Sequence, residues 1–398
     1  MKIAWFCIPA YGHTNPTIEV VRELVKRGHE IRYYSFEEFR EKIEDTGAAF
    51  VSIDSYLPPL DEKSQDRIKR VSTTEMSVQS FETTARLDPV LAKELAEFQP
   101  NGVVSDSACF WGKLTAIKQN LPLICSTTTF AFNQYSSKYL RYSLSELADM
   151  ALGLPRMNTA IRKLKPLGYQ VRSALEIVQN SNDTNTIVYT SARFQPFSET
   201  FDSQHYRFVG PSVKDAPVTR QEGQRPLVYV SLGTVINERP DFYRCCVEAA
   251  RGEPFDLLIS CGKVFNPAAL GELPENVRVE HYVDQMEVLA GANLFITHCG
   301  MNSASEGLYM AVPELLYPQT GEQQAVARRV CEMGAGRMLT TKEAQSPDGI
   351  RTAIRLALMD EELKKAALAM REDFRSCSGF KGAADFVEEV FGSLCLPL

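Results

Sequence analysis

The sequence predicts an α/β protein made of two doubly wound, Rossmann-like domains. Apolar runs of strand length recur just ahead of amphipathic stretches, the pattern of βαβ units. The runs fall into two series, separated by a stretch dense in proline and glycine. The chain of 398 residues also exceeds the roughly 250–300 residues at which one hydrophobic core stops growing.

In the first series, run 2–9 precedes an amphipathic stretch at 17–27 with Ile18, Val21, Leu24 and Val25 on one face. Asn15 and Pro16 mark the expected start of that helix, because proline is favoured in a first turn, where its missing N–H has no partner to lose. Runs 30–35, 102–107 and 121–127 follow, and their near-continuous apolarity suits parallel strands covered on both faces. Segment 130–180 breaks the pattern: it is helical, rich in Phe, Tyr, Leu and Met, and suited to lining a pocket or capping the first domain. The second series comprises runs 227–232, 255–261, 277–283, 294–297 and 314–317. Between the two, residues 210–226 hold three prolines, two glycines and no sustained periodicity, as a linker would. The expected division is 1–210, a linker at 211–226, 227–380, and a last helix within 381–398 that suits either domain, the N-terminal one included.

Hydrophobic residues at 44% and charged residues at 23% match ordinary globular usage. A formal net charge of −7 offers no electrostatic reason to expect nucleic acid or an anionic membrane as partner. The first residues carry one basic side chain and a short, proline-broken apolar run, unlike a signal peptide. No stretch approaches the roughly 20 apolar residues of a membrane span, so a cytoplasmic, soluble protein is expected. The ten cysteines include no Cys-x-x-Cys pair and sit mostly in apolar runs, as at Cys7, Cys125, Cys261 and Cys299, which reads as buried free thiols.

Open parallel sheets bind ligands beyond the carboxyl ends of their strands, and two such loops carry chemistry. Ala10-Tyr11-Gly12-His13-Thr14-Asn15-Pro16 puts His13, a side chain that titrates near neutral pH, at that edge. Asp106 closes the run Gly-Val-Val-Ser-Asp and reaches the same edge, where a carboxylate can orient a histidine acting as base. Taken alone, the pair also reads as a helix-capping histidine and a turn-forming aspartate. The second loop, His298-Cys299-Gly300-Met301-Asn302-Ser303-Ala304-Ser305-Glu306-Gly307, is a strand, a tight glycine turn and a helix start. Unpaired amides and the positive dipole end at such a start suit a diphosphate, with His298, Asn302 and Ser303 as further donors. Glu306, one turn on, suits ribose hydroxyls. A capped helix with a structural histidine is the alternative.

The run from Tyr282 to Gln323, YVDQMEVLAGANLFITHCGMNSASEGLYMAVPELLYPQTGEQ, resembles the nucleotide-sugar signature of the family 1 inverting glycosyltransferases. The spacing from His298 to Gln323 agrees without a gap, while the part before it is about two residues shorter than in plant members. Gly12-His13, the Asp106 region and Ser231-Leu232-Gly233-Thr234 extend the resemblance over nearly the whole chain, which looks most like the bacterial macrolide glycosyltransferases, a subgroup that also glycosylates flavonoids. The resemblance implies a GT-B fold, two domains facing a cleft, and transfer of a hexose, glucose first, from a UDP-sugar to a small apolar or aromatic acceptor without a metal. It implies His13 as general base with Asp106 as its partner, and Ser231, Thr234, His298, Gly300, Asn302 and Ser303 around the diphosphate. Glu306 would hold the ribose, Glu322 and Gln323 the sugar hydroxyls, Gln285 and the Val283 backbone the nucleobase, with Tyr282 stacked on that base. Tyr282 stands where plant members have Trp, Asp284 where Pro is usual and Met301 where Trp is frequent. The first departure bears on uridine against thymidine, the third on packing beside the donor.

Phe81, Phe110, Trp111, Phe130, Phe132 and Tyr135 lie in or after first-domain loops and read equally as acceptor pocket or as core. The expected partners are a UDP-sugar and a small-molecule acceptor, with no nucleic acid or membrane, and the chain is expected to be a monomer or weak dimer. Rival readings are a nucleotide-sugar-binding protein without transfer, against which His13 and Asp106 speak, and a sugar epimerase of similar architecture, which leaves the His13 loop unexplained. A dinucleotide-dependent oxidoreductase would need the Gly-x-Gly-x-x-Gly that the first loop lacks.

Overall fold

The computed structural model describes residues 1–56, 73–140, 144–173, 176–177, 183–214, 217–219 and 223–393. Parts of the helical segment 130–180, of the linker and of the last stretch thus lie outside the described residues. The chain divides into two compact units, Met1–Val213 with Cys377–Leu398, and Lys214–Ser376. The division falls inside the stretch read as linker.

In the first unit β1 (Lys2–Phe6), β2 (Glu30–Ser35), β3 (Ala49–Ser52), β4 (Gly102–Asp106), β5 (Leu123–Thr127), β6 (Thr186–Val188) and β7 (Tyr206–Phe208) form one sheet. Its order is β3-β2-β1-β4-β5-β6-β7, parallel throughout. Strands β1 and β4 are buried on both faces because helices cover them, which explains their unbroken apolar runs. Each fully buried side chain such as Ile3, Phe6 or Val104 contributes about 1.5–3 kcal/mol. The longer helices of this unit are α1 (Tyr11–Lys26), α2 (Thr73–Phe98), α3 (Phe110–Lys118) and α4 (Leu144–Leu164). Helix α4, within the segment that broke the strand pattern, packs on α2, and Thr74 fills the space over Gly153.

The C-terminal helix Gly379–Ser393 packs on α1 as part of this unit. Phe391 lies over Gly102, where a Cβ would stand 2.3 Å from its ring, and Arg27 holds Asp385 and Glu388 at 2.6 and 2.8 Å. The first helix differs from the sequence reading: α1 starts at Tyr11, not at Asn15–Pro16, and Pro16 lies inside it. Ala10 is extended and its carbonyl accepts from the N–H of both His13 and Thr14 at 2.9 Å, so the first turn closes ahead of the proline. Burial of Thr14, Pro16, Thr17 and Ile18 against the core then outweighs the backbone bond that proline cannot donate.

The second unit holds β8 (Leu227–Ser231), β9 (Asp256–Ser260), β10 (Val277–Glu280), β11 (Leu294–Thr297), β12 (Glu314–Leu316) and β13 (Gly336–Met338), in the order β10-β9-β8-β11-β12-β13 and parallel. Its site-bearing helices are α5 (Pro240–Ala250), α6 (Gln285–Gly291), α7 (Met301–Tyr309) and α8 (Gly321–Glu332). Strand β10 ends at Glu280, short of the expected 283, because Asp284 caps α6 by accepting the N–H of Glu287 at 3.1 Å. In both sheets the order reverses beside a central strand, between β1 and β4 and between β8 and β11. A crevice beyond the carboxyl ends opens at such a switch point. Among the described residues no helix is long and apolar enough to cross a membrane.

Candidate active site

The register Phe6↔Ser105 and Asp106↔Ser126 sets the loop after β1, the end of β4 and the end of β5 side by side. His13 enters from the first turn of α1, and its Nδ1 lies 2.8 Å from Oδ2 of Asp106. The other oxygen of Asp106 accepts the N–H of Ala108 at 2.8 Å. The aspartate is fully buried, whereas 22% of the His13 side chain is exposed. A carboxylate acceptor on Nδ1 fixes Nδ1–H as the donor, which makes Nε2 the basic nitrogen.

Burial, with the charge of Asp106 added, pushes the thiols of Cys7 and Cys109 up, so both remain protonated at neutral pH. The sequence reading missed Thr128, whose Oγ1 lies 3.1 Å from His13 Nδ1. Its position just past β5 shows only once β1, β4 and β5 are known to be neighbours.

The six aromatics separate. Phe81 and Phe110 pack on each other at 5.2 Å inside an apolar cluster, Trp111 belongs to the main core, and Phe130 packs on Phe194 at 5.7 Å. These four are at most 4% exposed, so their surface is consumed by packing. Phe132 is half-buried and Tyr135 is 47% exposed, and these two keep surface that packing does not consume.

In the second unit the register Thr297↔Ser231 brings the ends of β8 and β11 together. Cys299 takes a left-handed φ of 65°, costing about 1–3 kcal/mol, and its N–H is held by Thr297 Oγ1 at 3.1 Å. Gly300 then opens α7 as its N-cap. The His298 ring is wedged between Gly233 and Gly300, where a Cβ at either would stand 2.6 Å from it. Burial lowers the His298 pKa to about 4, so this imidazole is neutral at pH 7. Ser231 is buried and Thr234 exposed on the loop after β8, and Asn302 and Ser303 stand half-buried in the first turn of α7.

Gln285 draws Glu306, Ser303 and Tyr229 together. Its Nε2 donates to Glu306 Oε2 at 2.5 Å and to Ser303 Oγ at 3.4 Å, while its Oε1 accepts from Tyr229 at 3.3 Å. Tyr282 is 79% exposed and Val283 half-buried, both between β10 and α6. At the start of α8, Thr320 Oγ1 accepts the N–H of Gln323, and Gln323 Oε1 accepts the N–H of Gln319 at 2.8 Å. With that oxygen engaged, Gln323 offers a ligand its Nε2 donors, and the exposed carboxylate of Glu322 beside it offers an acceptor. One donor and one acceptor side by side complement a vicinal diol. Among the described residues no group of three His, Cys, Asp or Glu side chains is arranged to hold a metal ion.

Known proteins match nearly the whole length of this chain. The family model for the erythromycin biosynthesis protein CIII-like C-terminal domain matches residues 264–380. The NDP-glycosyltransferase YjiC of Bacillus licheniformis is 32% identical over 97% of this chain and 96% of its own length. The demethyllactenocin mycarosyltransferase of Streptomyces fradiae is 33% identical over 97% of this chain and 86% of its own. The solved structure of the glycotransferase of kitacinnamycin superposes with a TM-score of 0.83 at 26% identity, covering 98% of both chains.

Proposed function

The chain belongs to the family 1 glycosyltransferases of GT-B fold, in the bacterial macrolide subgroup, and from that premise we propose that it moves a hexose, glucose first, from a UDP-sugar to a hydroxyl of a small apolar or aromatic acceptor. The observation that carries the reaction is the His13–Asp106 pair at 2.8 Å, beside the carboxyl edge where a substrate binds. His13 Nε2 takes the acceptor proton as the oxygen attacks the anomeric carbon from the face opposite the diphosphate. The bond to the diphosphate breaks, its oxygen keeps the electron pair, and the anomeric configuration inverts. Asp106 stabilises the imidazolium that forms and fixes its tautomer.

Charge developing on the departing diphosphate is met by the amides at the start of α7 and by His298. A neutral His298 acts as an oriented hydrogen-bond donor rather than a proton source. These groups supply the stabilisation that a metal supplies elsewhere, so transfer is proposed to need no metal. Glu306 receives the ribose, Glu322 and Gln323 the sugar, Tyr282 and Gln285 the base. Phe132 and Tyr135 are the aromatic surface proposed for the acceptor. Relatives named for demethyllactenocin and kitacinnamycin support a natural-product acceptor, and a cytosolic monomer or weak dimer is proposed.

The test is a mass-spectrometric screen of UDP- and dTDP-sugars against phenols, flavonoids and macrolides. Addition of one hexose to a phenol, flavonoid or macrolide supports the reading. Release of nucleoside diphosphate with no glycosylated product from any acceptor, or a strict preference for charged sugars or peptides, overturns it.

A further inference from the structure

Two loops of the second unit are tied by a chain of contacts in which Arg239 and the Gln319 side chain have been given no role above. The loop after β8 carries Ser231 and Thr234 and runs into α5, while the loop after β12 carries Gln319 and runs into α8. Gln319 is hydrogen-bonded at three atoms. Its Oε1 accepts from Nε of Arg239 at 2.6 Å, its Nε2 donates to the carbonyl of Ile236 at 2.8 Å, and its peptide N–H donates to Oε1 of Gln323 at 2.8 Å. Arg239 is itself placed, because its N–H donates to the carbonyl of Asn237 and its carbonyl accepts from Tyr243 in α5. Beneath this chain the rings of Phe242 and Tyr317 stack at 4.2 Å with their planes parallel to within 1°.

We propose that Arg239 and Gln319 are positioning residues for donor-sugar recognition, clamping the diphosphate loop to Gln323 so that this carboxamide meets the sugar hydroxyls in one orientation. The proposal rests on the glycosyltransferase reading, which gives Gln323 to the sugar. The Gln319 peptide N–H holds the Gln323 oxygen as an acceptor and thereby turns the two Nε2 hydrogens to the ligand, while the Gln319 side chain, bonded to Arg239 and Ile236, fixes where that peptide stands. Without the side-chain clamp the peptide shifts, its bond to Gln323 loosens, and a carboxamide with no fixed orientation reads a hydroxyl poorly. The groups given to ribose and base and the α7 amides lie on other elements, so free nucleotide feels the clamp only through the Ser231–Thr234 loop and loses less affinity than the sugar nucleotide does. That separation distinguishes a positioning role from a general loss of packing.

The experiment is calorimetric titration of the full chain and of the single variants Gln319→Ala and Arg239→Ala. The ligands are UDP or dTDP, whichever binds the wild type more tightly, and the glucose and galactose sugar nucleotides of that base. For Gln319→Ala we expect Kd for the preferred sugar nucleotide to rise about tenfold, the scale of one well-placed hydrogen bond, with free nucleotide held within about twofold and the preference between the two epimers reduced. Arg239→Ala, a change at an exposed residue, moves the same quantities in the same direction by a smaller factor. Equal weakening of nucleotide and sugar nucleotide, or an unchanged epimer preference in both variants, overturns the proposal. A wild-type protein that binds neither sugar nucleotide overturns the glycosyltransferase reading and this inference with it, whereas wild-type binding with unaltered variants overturns this inference alone.

Discussion

A histidine follows a central strand in each unit, and the two rings live in opposite surroundings. His13 stands past β1, partly exposed, with the buried carboxylate of Asp106 at 2.8 Å. His298 stands past β11, wedged between two glycines, and burial takes its pKa down to about 4. Both occupy the point where the strand order of their sheet reverses. Strand order therefore decides where a histidine can meet a ligand, and the neighbouring side chain decides what it does there. His13 meets a carboxylate at Nδ1, whereas burial keeps the His298 imidazole neutral.

Among the residues that support these two rings, the largest effect is expected at Asp106. Asp106→Asn keeps the shape but removes the charge that stabilises an imidazolium, so the transfer rate falls by roughly 10²–10⁴-fold while donor affinity holds. Steady-state kinetics beside a nucleotide titration check this, and an unchanged rate would dissolve the contrast between the two histidines. On the other side, Gly233→Ala adds a Cβ 2.6 Å from the His298 ring at a φ of +78°. The backbone strain of about 1–2 kcal/mol lowers stability, and the Cβ pushes the imidazole out of place, so nucleotide affinity drops about tenfold, the scale of one lost hydrogen bond. Calorimetry reads the change, and unaltered affinity would remove His298 from the donor site.

Burial has a second consequence in the unit that holds His298, with the opposite sign. Glu314 in β12 is fully buried, neither of its oxygens has a hydrogen-bond partner among the described residues, and burial pushes its carboxyl well above the usual range. A carboxyl raised in the folded state leaves stability fully present below the unfolded value of about 4.3 and erodes it as pH climbs toward the folded value. Glu314→Met should thus raise the stability of this unit by about 1–3 kcal/mol at pH 7, with a gain that shrinks toward pH 4. Melting curves across that range test the sign, and a gain independent of pH would assign the effect to packing alone.

Much of this was legible beforehand. The runs that became β1, β2, β4, β5, β8, β9, β11 and β12 are continuous because both faces are covered, and the order of motifs located both histidines. Strands β3, β6, β7 and β13, of three or four residues each, carry too little pattern of their own, whereas β11 and β12, no longer, lie within the distinctive run 282–323. The start of α1 was misplaced because Pro16 is a first-turn residue by preference, and only packing puts it further in. Thr128 beside His13 requires the register of three strands. Phe81, Phe110, Trp111 and Phe130 show the same limit: an aromatic that fills a core and one that lines a pocket are the same letter, and only burial separates them.

The division of labour between the two histidines is tested most directly with His13→Ala, measured twice on one preparation: donor binding by calorimetry and sugar transfer to an alcohol acceptor in a single turnover. Unchanged donor affinity with transfer reduced by roughly 10²–10⁴-fold is the expected result. Transfer at the wild-type rate would contradict the assignment of His13 as base.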